Sequence, residues 1–263
     1  MMLKDKVAVI YGGGGAIGGA AARAFASEGA KVFVTGRSRA KVDAVAKEIA
    51  AGGGFAEAAT VDALDEKAVD KHLKSVIDKA GRVDISFNAI GVPTEDVVGT
   101  PFLDVKVENF ALPIMGYTTS YFLTARAAAK HMIPNKSGVI MTLSALPSRT
   151  GTDTNGGYGA AMAAKEALTR DLSLAFSRHG VRVVCLRPHG IPETETMKVL
   201  FERKLKPAGM SWDQFTGFLA GLTHPKRTMR LDEVGNMAAF MASDRASGMT
   251  GTTVNMTMGS LDD

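Results

Sequence analysis

Cysteine, tryptophan and long apolar runs are nearly missing from this chain. Its 263 residues include one Cys and one Trp. A single Cys185 excludes an intramolecular disulfide. It lies in the apolar run Val181–Leu186, where it reads as a small buried hydrophobe rather than a reactive thiol. No His–Cys spacing surrounds it, so no metal site is expected. No apolar run approaches the ~20 residues that a bilayer helix needs. Lys4, Asp5 and Lys6 interrupt the N-terminus before any leader-like core, so no membrane association and a cytoplasmic location are expected. A charge excess is lacking too. The formal net charge is +4 and the basic residues are scattered, whereas a nucleic-acid binder concentrates them in a stripe or patch. No nucleic-acid partner is expected; an anionic small molecule suits this balance.

Short β-rich runs alternate with longer helical ones. Strands are predicted at Val7–Tyr11, Lys31–Thr35, Phe55–Val61, Asp84–Asn88, Gly138–Leu143, Val181–Leu186 and Thr252–Met256. Helices are predicted at Ala16–Ser27, Ser38–Ala50, after Asp65 up to Gly81, and from Tyr158 to Arg178. Two helical stretches are expected across Val105–Met132, a helical region broken near Pro207 across Glu195–Leu222, and a last helix at Asp232–Ala242. Strands joined by helical crossovers make a parallel sheet covered on both faces, and the mostly apolar strands agree with that. The predicted fold class is α/β: one doubly wound, Rossmann-type domain of about seven strands.

The segment Gly12-Gly13-Gly14-Gly15-Ala16-Ile17-Gly18 joins the first strand to the first helix. Gly13, Gly15 and Gly18 match G-x-G-x-x-G; Gly12, Ala16 and Gly18 match G-x-x-x-[AG]-x-G. The strand before and the helix after are the context in which such a turn binds a dinucleotide. Glycine tolerates positive φ, and backbone N–H groups at a helix start attract a diphosphate. The second strand ends Thr35-Gly36-Arg37-Ser38-Arg39, with no acid to bind ribose hydroxyls. Arg37 can pair with a 2′-phosphate, so NADP(H) is expected over NAD(H).

The order of these and later motifs resembles the short-chain dehydrogenase/reductase family over almost the whole chain. The resemblance rests on the glycine turn, Asp62, Asn88-Ala89-x-Gly91, Tyr158 at a helix start and Pro188 to Thr194. It also includes Arg230–Val234, Ala242-Ser243-Asp244 and Thr250-Gly251. It implies hydride transfer with NAD(P) and a homodimer or homotetramer. It also implies that Asp62 and Ala63 lie near the adenine, and that Asn88, Ala89 and Gly91 line the cofactor. Pro188, Gly190 and Ile191 would sit beside the nicotinamide, and Thr194 near the phosphates. His189 stands where the family has Gly, as an acid or base or as part of a loop insertion.

The family's catalytic set is Asn, Ser, Tyr and Lys, with Y-x-x-x-K spacing. Tyr158 is present, but four residues on stands Met162. Lys165 shares the helix face about 10.5 Å farther along and reproduces the Y-x₆-K spacing of some related enoyl reductases. Ser144-Ala145 stands where the family has Ser-Ser; Ser144 serves if the next loop is one residue longer, and Ser148 is the second candidate. No Asn occurs around Tyr117-Thr118-Thr119-Ser120. A phenol titrates near 10 and needs a nearby cation to exchange protons near neutrality.

Two functions follow. One is an NADP(H)-dependent oxidoreductase that reduces a carbonyl, or a C=C bond conjugated to one, in a small apolar substrate. Tyr158 would be the proton donor, Ser144 a carbonyl hydrogen-bond donor and Lys165 an electrostatic helper. The other is a cofactor-binding protein with little catalysis, a sensor or partner subunit. A segment at about 192–228 covers the substrate by the same resemblance. Its Trp212, Phe215, Leu219 and Leu222 follow helical spacing, either as an apolar lid or as plain packing.

Overall fold

The structure is a computed structural model and describes residues 1–93, 97–151 and 154–262. Seven strands form one sheet: β1 (Val7–Tyr11), β2 (Lys31–Gly36), β3 (Phe55–Thr60), β4 (Ile85–Asn88), β5 (Gly138–Leu143), β6 (Val181–Pro188) and β7 (Thr252–Met256). Their order is β3-β2-β1-β4-β5-β6-β7, and every pairing is parallel. The order reverses between β1 and β4, which opens a crevice at the carboxyl ends of those strands.

Eight α-helices accompany the sheet among the described residues: α1 (Ala16–Ser27), α2 (Arg39–Ala51), α3 (Glu66–Ala80), α4 (Val107–Met132), α5 (Tyr158–Phe176), α6 (Glu195–Leu200), α7 (Trp212–Leu222) and α8 (Leu231–Ala242). Period-two alternation divides the core between the two faces. Ala8 and Ile10 of β1 join a core with α1, α2 and α8. Val7, Val9 and Tyr11 join the opposite core with α3, α4 and α5. Local chemistry fixes the ends of α3: the Asp65 side chain accepts from the Ala68 N–H at the start, and Gly81 at φ 78° stops the helix.

One expectation changes. The residues from 107 to 132 form one helix that carries Pro113 within it, because burial along the face toward α5 and the sheet outweighs the proline's local penalty. The Glu195–Leu222 region is interrupted around Pro207 as expected: α6 and a π-helical turn at Phe201–Leu205 precede the break and α7 follows it. Phe215 and Leu219 of α7 pack with Phe201 in a small core of their own. Trp212 stacks edge-on against Phe201 at 5.0 Å and Phe215 at 5.6 Å. A Cβ on Gly190 would lie 3.2 Å from the Met197 Sδ and 3.4 Å from Leu219, so this subcore rests on the end of β6.

Candidate active site

A cavity of about 730 Å³ lies at the β1/β4 switch point. Gly12, Gly14 and Gly15 form its floor. Gly12 has φ +76°, and a Cβ there would lie 2.5 Å from the Ala89 carbonyl oxygen; a Cβ on Gly18 would lie 2.3 Å from the Gly12 oxygen. Gly13 lies against Val34 rather than the cavity, its N–H bonded to the Thr35 oxygen at 2.8 Å; the Gly15 N–H bonds the Gly12 oxygen. The donors left for a diphosphate are therefore the first-turn N–H groups of α1, including those of Ala16 and Ile17. No side chain caps that helix start. A nicotinamide dinucleotide fits this cradle: small residues where a side chain would collide, and open amides where an anion needs them.

Arg37 and Ser38, which follow β2, line the far end, with Asp62 and Ala63 opposite and Ala89 and Gly91 along the side. The Asp62 Oδ1 accepts the Leu64 N–H at 3.0 Å. Asn88 does not reach the cavity. It is buried, gives its Nδ2 to Thr124 Oγ1 at 3.1 Å, and its Oδ1 has no partner. The sequence reading missed Lys41 beside Arg37, as well as the α4 face Glu108, Ala111, Leu112, Met115, Gly116 and Thr119. The α4 set has the spacing of one helix face, a signal present in the sequence.

The residues around Tyr158 are apolar. Tyr158 heads α5 and packs against a small core of Tyr117, Ala161 and Met162, which Ala145, Ile90, Val92 and Ile114 also border. Burial pushes its phenol well above the ordinary value, and Tyr117 adds to the effect. Ser144 lies elsewhere. Its hydroxyl donates to Glu166 Oε1 at 2.7 Å, as does that of Ser148 at 2.6 Å. Arg187 grips the same carboxylate in bidentate fashion, with Nε to Oε1 and Nη2 to Oε2 both at 2.8 Å. Burial alone would raise the Glu166 pKa, but the bonds from Arg187, Ser148 and Ser144 together hold it below the ordinary carboxylate range.

Lys165 is 1% exposed. Its Nζ lies 5.3 Å from the Tyr117 ring centroid and 6.0 Å from that of Tyr121. Burial lowers its pKa to about 8. Pro188 and Ile191 are buried, with Gly190 under the α6–α7 subcore and the Thr194 hydroxyl donating to the Ile191 oxygen. His189 lies in no exposed loop. It is buried, its N–H extends the ladder to the Met256 oxygen at 3.2 Å, and its Nε2 has no partner. Cys185 is fully buried and its thiol is pushed up to about 11 by burial. No group of His, Cys, Asp or Glu among the described residues could hold a metal.

A family model described as enoyl-(acyl carrier protein) reductase matches residues 14–260. The chain is 31% identical over 256 residues to a 3-oxoacyl-[acyl-carrier-protein] reductase of Synechocystis sp., covering 97% of this chain and 96% of that protein. It is 30% identical over 252 residues to the uncharacterized oxidoreductase YxbG of Bacillus subtilis, covering 96% and 89%. A solved 7α-hydroxysteroid dehydrogenase, complexed with NADH and 7-oxo glycochenodeoxycholic acid, superposes with a TM-score of 0.85 at 25% identity, covering 99% of this chain and 96% of that one. With the cleft, the sheet order and these relatives together, the chain belongs to the short-chain dehydrogenase/reductase family and is an NAD(P)-dependent oxidoreductase of the short-chain type.

Proposed function

We propose that this protein is an NADP(H)-dependent reductase of a small apolar carbonyl compound, and that the bond reduced is a C=C conjugated to the carbonyl. One observation carries the reading: the Tyr158 side chain packs in an apolar cluster with Tyr117, Ala161 and Met162, and burial there raises its phenol pKa. A phenol whose pKa is raised by burial keeps its proton. It polarises a carbonyl oxygen and holds the charge that builds there, without having to surrender the proton. Hydride addition to a conjugated C=C leaves an enolate that takes its proton from solvent at the α-carbon, so the phenol need only donate a hydrogen bond; reduction of the carbonyl itself needs a proton delivered to the oxygen. The bound dinucleotide supplies the hydride, and it is held at the α1 N-terminus, by Arg37 and Ser38, and along Asp62, Ala63, Ala89 and Gly91. Lys165 adds positive charge behind the aromatic cluster. The α6–α7 subcore, within about 192–228, closes over the substrate.

The preference for NADP(H) rests on Arg37 and Lys41 at a cavity end where β2 contributes no acid. Among the described residues Arg37 makes no ion pair, so it is free for a 2′-phosphate. Exposed Phe122 on α4 and Leu174 on α5 support a homodimer or homotetramer, and a buried free thiol suits the cytoplasm. No helix among the described residues is long and apolar enough to cross a membrane.

A second reading, cofactor binding with little turnover, is favoured by Ser144 alone, whose proton is committed to Glu166. The test is NADPH oxidation with cyclohex-2-en-1-one against cyclohexanone, with Tyr158→Phe alongside. Turnover of the enone that falls about 10²–10³-fold in the variant supports the proposal. Full turnover by Tyr158→Phe removes Tyr158 from the mechanism, and no oxidation of either probe leaves the second reading. Arg37→Ala should weaken NADPH about tenfold and leave NADH unchanged.

A further inference from the structure

Two buried groups beside Tyr158 have chemistry that packing does not explain. Tyr117 on α4 is 5% exposed. Its ring meets that of Tyr158 edge to face at 5.8 Å between centroids. Phenylalanine would pack equally well, so the hydroxyl needs its own account. The Tyr117 oxygen accepts the Val92 N–H at 3.3 Å, and Val92 and Gly116 both line the cavity. Among the described residues, nothing accepts the Tyr117 proton. A buried hydroxyl with an unused donor opposes folding. Lys165 is the second group. Its ammonium makes no ion pair or hydrogen bond among the described residues, and it faces the rings of Tyr117 and Tyr121. An unpaired buried cation opposes folding, yet this one lies against Tyr117.

We propose that Tyr117 is a second substrate-binding phenol, which donates its free proton to the same carbonyl oxygen as Tyr158, with Lys165 as the positioning cation behind it. The ligand class is an oxygen that gains negative charge: the carbonyl of an enone passing to its enolate. The Val92 N–H uses the Tyr117 oxygen as an acceptor and leaves the hydroxyl proton uncommitted. Lys165 over the ring draws electron density away from the phenol and strengthens the donation of its O–H. The cation thus serves the tyrosine on α4, not the one that heads its own helix. The titratable groups facing this cluster are Tyr158 and Lys165 from α5, Tyr121 from α4 and Cys185 from β6. The substrate's identity as a carbonyl rests on the function proposed above; the paired donors do not.

The test separates the two. The holoprotein saturated with NADP⁺ is titrated with 4-nitrophenol, whose ionised form is coloured and imitates an enolate oxygen. The phenolate should bind, and Tyr117→Phe, which keeps the ring, should weaken it about 10–100-fold, as Tyr158→Phe should. Lys165→Met should weaken it several-fold in the parent and have little further effect in Tyr117→Phe, a coupling that a merely structural lysine does not give. Equal binding by parent and Tyr117→Phe, or no binding by the parent, overturns the proposal. If the parent fails to oxidise NADPH with any enone while Tyr117→Phe still loses the phenolate, the reductase reading falls and the two-phenol site stands.

Discussion

Arg187→Met is the sharpest test of how this site is held. Arg187 and Glu166 are 3% and 5% exposed at their side chains. The substitution leaves the Glu166 carboxylate in the interior with the two serine donors alone. Breaking a buried pair from one side costs about 3–5 kcal/mol, a large part of the ~5–15 kcal/mol that stabilises a typical domain. With a urea slope of ~3 kcal/mol/M, the unfolding midpoint should fall by about 1–1.7 M. Glu166→Leu combined with Arg187→Met removes both charges and should recover much of that loss. Ser144 and Ser148 then lack their acceptor, at about 1 kcal/mol each. Acid titration adds a second check. The Glu166 pKa is lowered in the folded state, so its contribution is complete above the unfolded value near 4.3. It is lost as pH falls through the lowered folded value, and this acid-side dependence should shrink in Arg187→Met. A single variant that loses less than ~1 kcal/mol, or a double variant that loses the sum of the singles, would refute the view that the pair braces the loop after β5.

Gly18→Ala should reduce dinucleotide affinity more than tenfold with the far-UV circular dichroism unchanged, because its Cβ would lie 2.3 Å from the Gly12 oxygen and relief must shift the turn; unchanged affinity would contradict the cradle. Lys165→Met should stabilise the protein by ~1–3 kcal/mol at pH 7. The folded pKa is lowered to about 8, so the cost of burying the cation is complete below pH 8. It disappears toward the unfolded value near 10.4, and the variant's advantage in urea melts should fade over that interval; an advantage that grows with pH would contradict this.

The framework of the fold was legible because its signals are local. Val7–Tyr11, Ala16–Ser27, Gly138–Leu143 and Thr252–Met256 fall where turn residues and apolar runs predict them. The helix at 107–132 was not, since Pro113 is a local signal overridden by burial that only the assembled helices supply. At the site, Arg37, Ser38, Asp62, Ala63, Ala89 and Gly91 were readable from motif position. The environment of Ser144 was not. Nothing in the spacing of 144, 148, 166 and 187 says that two hydroxyls and a guanidinium converge on one carboxylate. Likewise Lys165 shares the helix face of Tyr158 in sequence, but the space it enters belongs to Tyr117 and Tyr121.

The contact between Gly12 and Ala89 also sets when the protein can first hold its cofactor. β1 pairs with β2 and with β4, so the turn's outer wall is made by a strand some eighty residues later in the chain. A nascent chain that has emerged only through β3 carries the whole glycine motif and half of a groove. Dinucleotide capture must wait for β4 to dock in the middle of the sheet, a long-range closure of the kind that slows folding. Ligand binding therefore rewards one late event, and any ligand present during synthesis pulls the chain toward completion of that central pairing.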